Sequence, residues 1–295
     1  MPDLTALLEP TQNHPKRQHY VPRALLRGFG SSLQGNAPYA FDRRTEIIEP
    51  RNVDKIAYAM REYDFESTDG AVKSFERVYG FWEDQLPGLL EALSHEYILN
   101  EDDWHSLTEF AFDLHTRNPV WRRAWEAGVG AQTKTASAPV VRGTNALLAG
   151  GHWASVAREI QTAEFVRAPE AYPFVLSDVP MGIYSSAAPL ERVLLVPGPY
   201  PDDSGKVPRP MSPTDVRNNP FLAELALTPR LALRFRPRTE GEGRRSFVDA
   251  HPGEVDEMNR RALWRALKIV VSHDRARLED LRDVRQETPH PFGPG

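Results

Sequence analysis

Residues 225–235, LALTPRLALRF, read as β-strand. So do YPFVLS at 172–177, GIYSS at 182–186 and RVLLVP at 192–197, which makes the second half of the chain a strand region. Working back from there, the middle is helical. Val72, Phe75, Tyr79, Trp82 and Leu86 recur at helical spacing over 71–86, with Thr68 or Asp69 as cap. Pro87 is expected to kink that helix, and Leu89, Leu90 and Leu93 continue its apolar character. The next helix starts at Asn100 with Glu101, Asp102 and Asp103 in its first turn, where the helix dipole favours acids. Trp104, Leu107, Ala111 and Leu114 form its core stripe, and Pro119 ends it. Further helices are expected over 144–165 and 254–270, the latter with Val255, Met258, Ala262 and Ile269 on one side.

The first 65 residues hold shorter pieces. HYVPRALLRGFG, 19–30, reads as a short helix with Pro22 in its first turn. YAFD at 39–42 and TEIIEP at 45–50 flank Arg43 and Arg44 as a hairpin, and AYAMREYDF at 57–65 is extended. No βαβ alternation or glycine-rich dinucleotide loop appears. The fold class is therefore α+β, with a central helical bundle and antiparallel strands near the N-terminus and in the C-terminal half. A flexible arm is expected over 1–15 and one domain over 16–285. A mobile linker is expected at 128–143, a Pro-rich loop (lid or disordered) at 186–221 and a disordered tail at 286–295.

Composition bounds the function classes. The chain has 295 residues, enough for a real core. It has no Cys, which excludes a disulfide scaffold, a thiolate nucleophile and Cys-ligated metal. It has no long apolar run and no basic-then-apolar leader, so a cytoplasmic location without membrane contact is expected. The net charge of -5 argues against broad non-specific DNA binding.

RQHYVPRALLRGF, 17–29, resembles the opening of the bacterial domain of unknown function 4238 family, which begins with a basic stretch, an HYVP motif and an apolar helix. Other landmarks follow in the family's order. REYDF at 61–65 precedes a helix carrying Glu76 and Glu83. Arg117-Asn118-Pro119 stands where the family has Arg-Thr-Pro. FVLSDVPM at 174–181 resembles its Phe-x-Thr-Ser-Asp-Asn-Pro strand end, and LALTPRLAL at 225–233 its Leu-Ser-Pro strand. Asn259 matches a recurring Asn in the last helix. The resemblance spans roughly 16 to 275, with Val179 in place of Asn and Asn118 in place of Thr as departures. It implies a domain extent and candidate residues, and no reaction.

Each candidate has a functional and a structural reading. His19 suits a general base or metal ligand, with Tyr20, Lys16, Arg17, Arg23 and Arg27 around it for an anion; otherwise it caps the helix. Asp178 follows a buried strand and precedes a Pro-constrained turn, a setting for a catalytic acid or an Asx turn, and Ser177 beside it suits either. Glu76 and Glu83 share a helix face with Gly80 between them, lining a cleft or standing in solvent. Arg117 binds an anion, helped by Arg122 and Arg123, or pairs with Asp113 at i,i+4. Asn259 binds substrate or bonds backbone. Asp113, His115 and His19 include possible metal ligands, but no spacing is diagnostic, so metal and cofactor stay unknown.

The resulting set is His19, Asp178 and Arg117 as catalytic residues, with Tyr20, Arg23, Glu76, Glu83, Ser177 and Asn259 contacting substrate. The favoured reading is a hydrolase-like enzyme on an anionic or phosphate-containing small molecule. A small-molecule cyclase or group transferase with a lidded pocket competes with it. So does a non-enzymatic ligand- or nucleic-acid-binding module of a bacterial conflict or regulatory system. Oligomeric state is open.

Overall fold

A computed structural model describes residues 17–60, 63–66, 72–118, 150–185 and 221–285. In chain order the first elements are β1 (Arg17–His19), α1 (Arg23–Gly28), β2 (Tyr39–Asp42), β3 (Ile48–Pro50), β4 (Tyr58–Met60), β5 (Asp64–Glu66) and β6 (Val72–Ser74). Two long helices follow, α2 (Glu76–Ser94) and α3 (Glu101–Thr116), then α4 (150–160). The remainder is β7 (Gln161–Arg167), β8 (Leu176–Ser177), β9 (Met181–Ser185), β10 (Phe221–Thr228), β11 (Leu231–Pro237), β12 (Arg245–Asp249), α5 (Pro252–Arg265), β13 (Ile269–Ser272) and α6 (Arg275–Arg285). The chain is mixed α+β. The arm at 1–15, the linker at 128–143, RVLLVP, the Pro-rich stretch up to 220, the tail from 286 and Lys16, Pro119, Arg122 and Arg123 lie outside the described residues.

The described residues gather into two compact units. The first includes residues 17–20, 58–60, 63–66, 72–118 and 150–154; the second includes 21–57, 155–185 and 221–285. In the first unit β1 pairs antiparallel with β4, and β5 with β6. Helices α2 and α3 pack together. Asn100 caps α3 by accepting the amide of Asp103 at 2.9 Å, so the expected start is the observed one. The described residues supply this helix pair and the first turns of α4, where the ring of Trp153 stacks on Phe112. Tyr63, Phe75, Val78 and Tyr79 form a small core, with Tyr20 and Trp82 against it.

The start of α2 differs from the expected one. Residues 72–74 are the strand β6, and the helix begins at Glu76, whose amide donates to Ser74 Oγ at 3.3 Å. Pro87 lies inside α2, which continues to Ser94. Val78, Leu86, Leu89 and Leu93 are all buried, and packing of that stripe outweighs the backbone bond that proline removes.

Among the described residues the second unit holds two sheets. One has the order β12-β7-β11-β10-β9, antiparallel except for the β12–β7 pair. The other has the order β3-β2-β13-β8 and contains the expected 39–50 hairpin. Helix α6 packs on β2, β3 and β13, while α5 packs on β8 and β9. Phe41, Val175, Ala262, Ala266, Val270 and Leu278 form part of the core between them. Gly30 is required sterically: a Cβ there would lie 2.2 Å from the carbonyl oxygen of Asn36.

Two interior strands replace expected helical turns. The helix expected to reach 165 stops at 160 and becomes β7. Glu164 obscures its strand pattern, because it is buried and charged. Arg234 and Arg236 on β11 hold it at 2.6 Å and 2.7 Å. The helix expected to reach 270 ends at Arg265, and Ile269 begins β13, whose four residues are all buried. The run Ile269-Val270-Val271 has the β-branched character of a central strand.

Glu224 on β10 and Arg261 on α5 form a buried bidentate pair at 2.7 Å and 2.9 Å, with the guanidinium over the Tyr184 ring. Removing one partner leaves the other charge buried. Glu224→Ala is expected to cost about 3–5 kcal/mol, and the paired replacement Glu224→Leu with Arg261→Met much less. Urea denaturation midpoints of the two variants check this.

Candidate functional site

Arg117 follows the last residue of α3, where a cation suits the helix dipole. Its backbone amide donates to the Asp113 carbonyl at 2.9 Å. Its side chain is only 1% exposed. Nη1 donates to Glu83 Oε1 on α2 at 2.8 Å, and Nε donates to the carbonyl of Tyr20 at 3.1 Å. Asp113 Oδ2 lies 4.0 Å from Nε, and the guanidinium carbon sits 5.1 Å from the centre of the Tyr79 ring. Tyr63 packs edge-on against Tyr79 and donates its hydroxyl to the Arg117 carbonyl at 3.4 Å. Burial works against the guanidinium charge, but Glu83 and Asp113 overcome it and hold the pKa above its ordinary value.

One nitrogen is left over. Nη2 of Arg117 is buried and has no hydrogen-bond partner among the described residues. The Glu83 side chain is 27% exposed, so this pair has one buried and one solvent-reaching member. At Gly80, one turn before Glu83, a Cβ would meet nothing within 4 Å among the described residues. Glu76 opens the same helix and is half-buried. The arrangement can donate a hydrogen bond to a ligand oxygen beside an oriented carboxylate.

The HYVP motif is divided. His19 and Tyr20 belong to the first unit, Val21 and Pro22 to the second. Tyr20 joins the Arg117 site through its carbonyl. Gln18 is fully buried. Its Nε2 donates to Ser74 Oγ at 3.2 Å and to Asp64, while its Oε1 accepts the Tyr63 amide at 2.6 Å. Side chains alternate along a strand, so His19 lies on the other face of β1. There it faces Tyr58 at 6.0 Å, beside Arg17, whose guanidinium covers the same ring at 5.1 Å. Pro22 occupies the cap position of α1. Arg23 pairs with Asp54 at 2.9 Å, both about half exposed.

Asp178, Ser177 and Asn259 sit in the second unit, and each bonds backbone. The Asp178 carboxylate accepts the amides of Leu267, Lys268 and Ile269 at 2.9, 2.9 and 3.1 Å, tying the segment after α5 to the end of β8. Ser177 Oγ donates to the Val179 carbonyl at 2.7 Å and accepts the Val179 amide at 3.0 Å. Asn259 Oδ1 accepts the Val175 amide, and its Nδ2 donates to the Pro173 carbonyl, both at 2.9 Å. Ser177 and Asn259 thus bond backbone as in their structural readings, whereas the bonds of Asp178 reach a distant segment and form no Asx turn.

Three further residues carry the same framework without having been singled out. Arg265 donates to the carbonyls of Val179 and Pro180 and to the Tyr184 hydroxyl, at 2.7, 2.9 and 2.7 Å. Arg261 and Glu224 make the buried pair already described. The available signal was an Arg at each end of an i,i+4 step on the apolar side of α5. Val179, the departure from the family pattern, contributes through its backbone, which accepts bonds from Ser177 and Arg265. No group of three or more His, Asp or Glu residues able to hold a metal exists among the described residues. Asp113, His115 and His19 form no such group.

The fold and site define a mixed α+β protein with a buried arginine–carboxylate centre in one unit and a backbone-stapled double sheet in the other. The chain belongs to the family described as Protein of unknown function (DUF4238), whose model matches residues 17–276 and so spans both units. No curated protein and no solved structure matches it.

Burial pushes the Asp178 carboxyl up to about 6, against the lowering effect of its three amide donors and Arg43. Between the ordinary carboxylate range and about 6 the native state binds more protons than the unfolded state. Stability is therefore greatest at the acid end of that window and falls as pH rises through it. Asp178→Asn is expected to flatten this slope and cost about 1–3 kcal/mol, because its amide nitrogen meets backbone N–H donors. Chemical denaturation at a series of pH values tests both effects.

Proposed function

We propose that the protein is a cytoplasmic, hydrolase-like enzyme acting on a small anionic substrate, with Arg117 holding a substrate oxygen through Nη2. The observation that carries this reading is a fully buried guanidinium with one nitrogen that has no hydrogen-bond partner among the described residues, next to a carboxylate that reaches solvent. Such a nitrogen is costly to bury and gains most from a charged or strongly polar acceptor. Glu83 is oriented by Nη1 and stands beside the same guanidinium, so the acid–base role goes to Glu83. His19, on the outer face of β1, and Asp178, bonded to three amides, do not enter it. Among the described residues no helix is long and apolar enough to cross a membrane.

A second reading, a non-enzymatic binding module for the same anion, is favoured by a separate observation. Asp178, Ser177 and Asn259 all bond backbone, so the landmarks of the second unit act as framework. Turnover separates the two readings.

Hydrolysis of aryl phosphates and aryl carboxylate esters by the wild type, Glu83→Gln and Arg117→Lys provides the test. The expected result is a loss of about 10²–10⁴-fold in Glu83→Gln with the fold intact by circular dichroism. Equal turnover in all three proteins overturns the enzyme reading at this site. No turnover, combined with stabilisation of the wild type by phosphate in thermal melts, leaves the binding module.

A further inference from the structure

The second unit contains a small cavity between α5, β10 and the chain entering β8. Its volume is about 10 Å³, and Glu224 of β10 lines it with Asn259 and Arg265 of α5 and apolar neighbours that include Ala226 and Met258. No lining residue is more than 6% exposed. A space of that size takes about one water molecule. Each of the three polar residues keeps hydrogen-bonding capacity after its direct bonds are made. Arg265 donates from Nη1 to the Tyr184 hydroxyl and from Nη2 to the Pro180 carbonyl, which leaves a second hydrogen on each nitrogen. Asn259 donates from Nδ2 to the Pro173 carbonyl, which leaves one more N–H on its amide. Glu224 Oε1 and Oε2 each accept one bond from Arg261, and a carboxylate oxygen can accept a second.

We propose that this cavity is a binding site for one ordered water molecule, which bridges Glu224 as acceptor to Arg265 and Asn259 as donors. The wall presents a cation, an anion and an amide together, and that combination selects the occupant. A chloride ion would face the Glu224 carboxylate, and a metal cation the Arg265 guanidinium, in surroundings where an ill-matched charge is costly. Water is neutral and both donates and accepts, so it suits every part of the wall. It joins the Glu224–Arg261 pair to the contacts that Asn259 and Arg265 make with backbone. Strand β10 of one sheet is thereby linked to the chain around β8 of the other. The proposal is independent of the anion reading of Arg117.

A high-resolution crystal structure of the full chain tests this directly and requires no variant. The expected result is one ordered water oxygen within about 2.7–3.2 Å of polar side-chain atoms from at least two of Glu224, Asn259 and Arg265. An empty cavity, a cavity closed by rearranged side chains, or an ion in it identified by anomalous scattering overturns the proposal. Magnetic relaxation dispersion of the water oxygen provides the test in solution. Glu224 and Ala226 are two apart on β10 and point to the same face, so Ala226→Val fills the cavity beside the carboxylate. That variant is expected to hold one fewer long-lived water than the wild type, with a lower urea midpoint because polar groups lose a partner. The same number of long-lived waters in both proteins, with the fold intact by circular dichroism, overturns the proposal. So does a higher midpoint in the variant, the sign of a dry void being filled.

Discussion

A buried guanidinium is the constraint around which each unit is arranged. Arginine cannot lose its proton in a protein, so burying it obliges the surrounding chain to supply acceptors in fixed directions. In the first unit Arg117 draws Glu83 from α2, Asp113 from α3 and the Tyr20 carbonyl to one point, with the Tyr79 ring beneath. In the second unit Arg261 engages Glu224, and Arg265 takes two carbonyls and a tyrosine hydroxyl. The difference between the units lies in completeness. Both Arg261 and Arg265 are matched by acceptors, whereas Arg117 keeps one nitrogen without a partner among the described residues. An incompletely satisfied buried group is where a ligand has something to offer.

The polar landmarks of the second unit solve a different problem. Strand β8 has only two residues, and the chain on either side of it must be held by something other than a ladder. Asn259 holds the chain before the strand, Asp178 ties its far end to the segment entering β13, and Ser177 and Arg265 fix the turn between β8 and β9. All four act on main-chain groups. A substitution such as Val179 is tolerated in the middle of this arrangement because its neighbours read its amide and carbonyl, which every residue except proline presents.

How much of this was legible depended on the kind of signal. Local signals were readable. Asn100 with three acids after it marks the start of α3, and Arg43 and Arg44 mark the turn of the 39–50 hairpin. Interior strands were harder to read. Strand β7 carries a buried glutamate that is tolerable only because Arg234 and Arg236 face it from β11. The four-residue strand β13 lies so close behind a helix that its apolar residues extended the helical stripe. In the motif, His19 carried chemical interest, yet its neighbour Gln18 is the fully buried residue, because alternation along β1 sends one inward and the other outward.

The sequence by itself determined the α+β class, the family, the two long helices, the hairpin and the residue types available for polar chemistry. These follow from periodicity, capping and turn composition, which act over a few residues. Only the tertiary structure decided which polar residues meet. Arg117 and Glu83 lie 34 positions apart and Asn259 and Val175 lie 84 apart, beyond the reach of any local pattern. Whether a carboxylate ends against an arginine, as Glu83 does, or against three backbone amides, as Asp178 does, is set by the long-range packing that buries it.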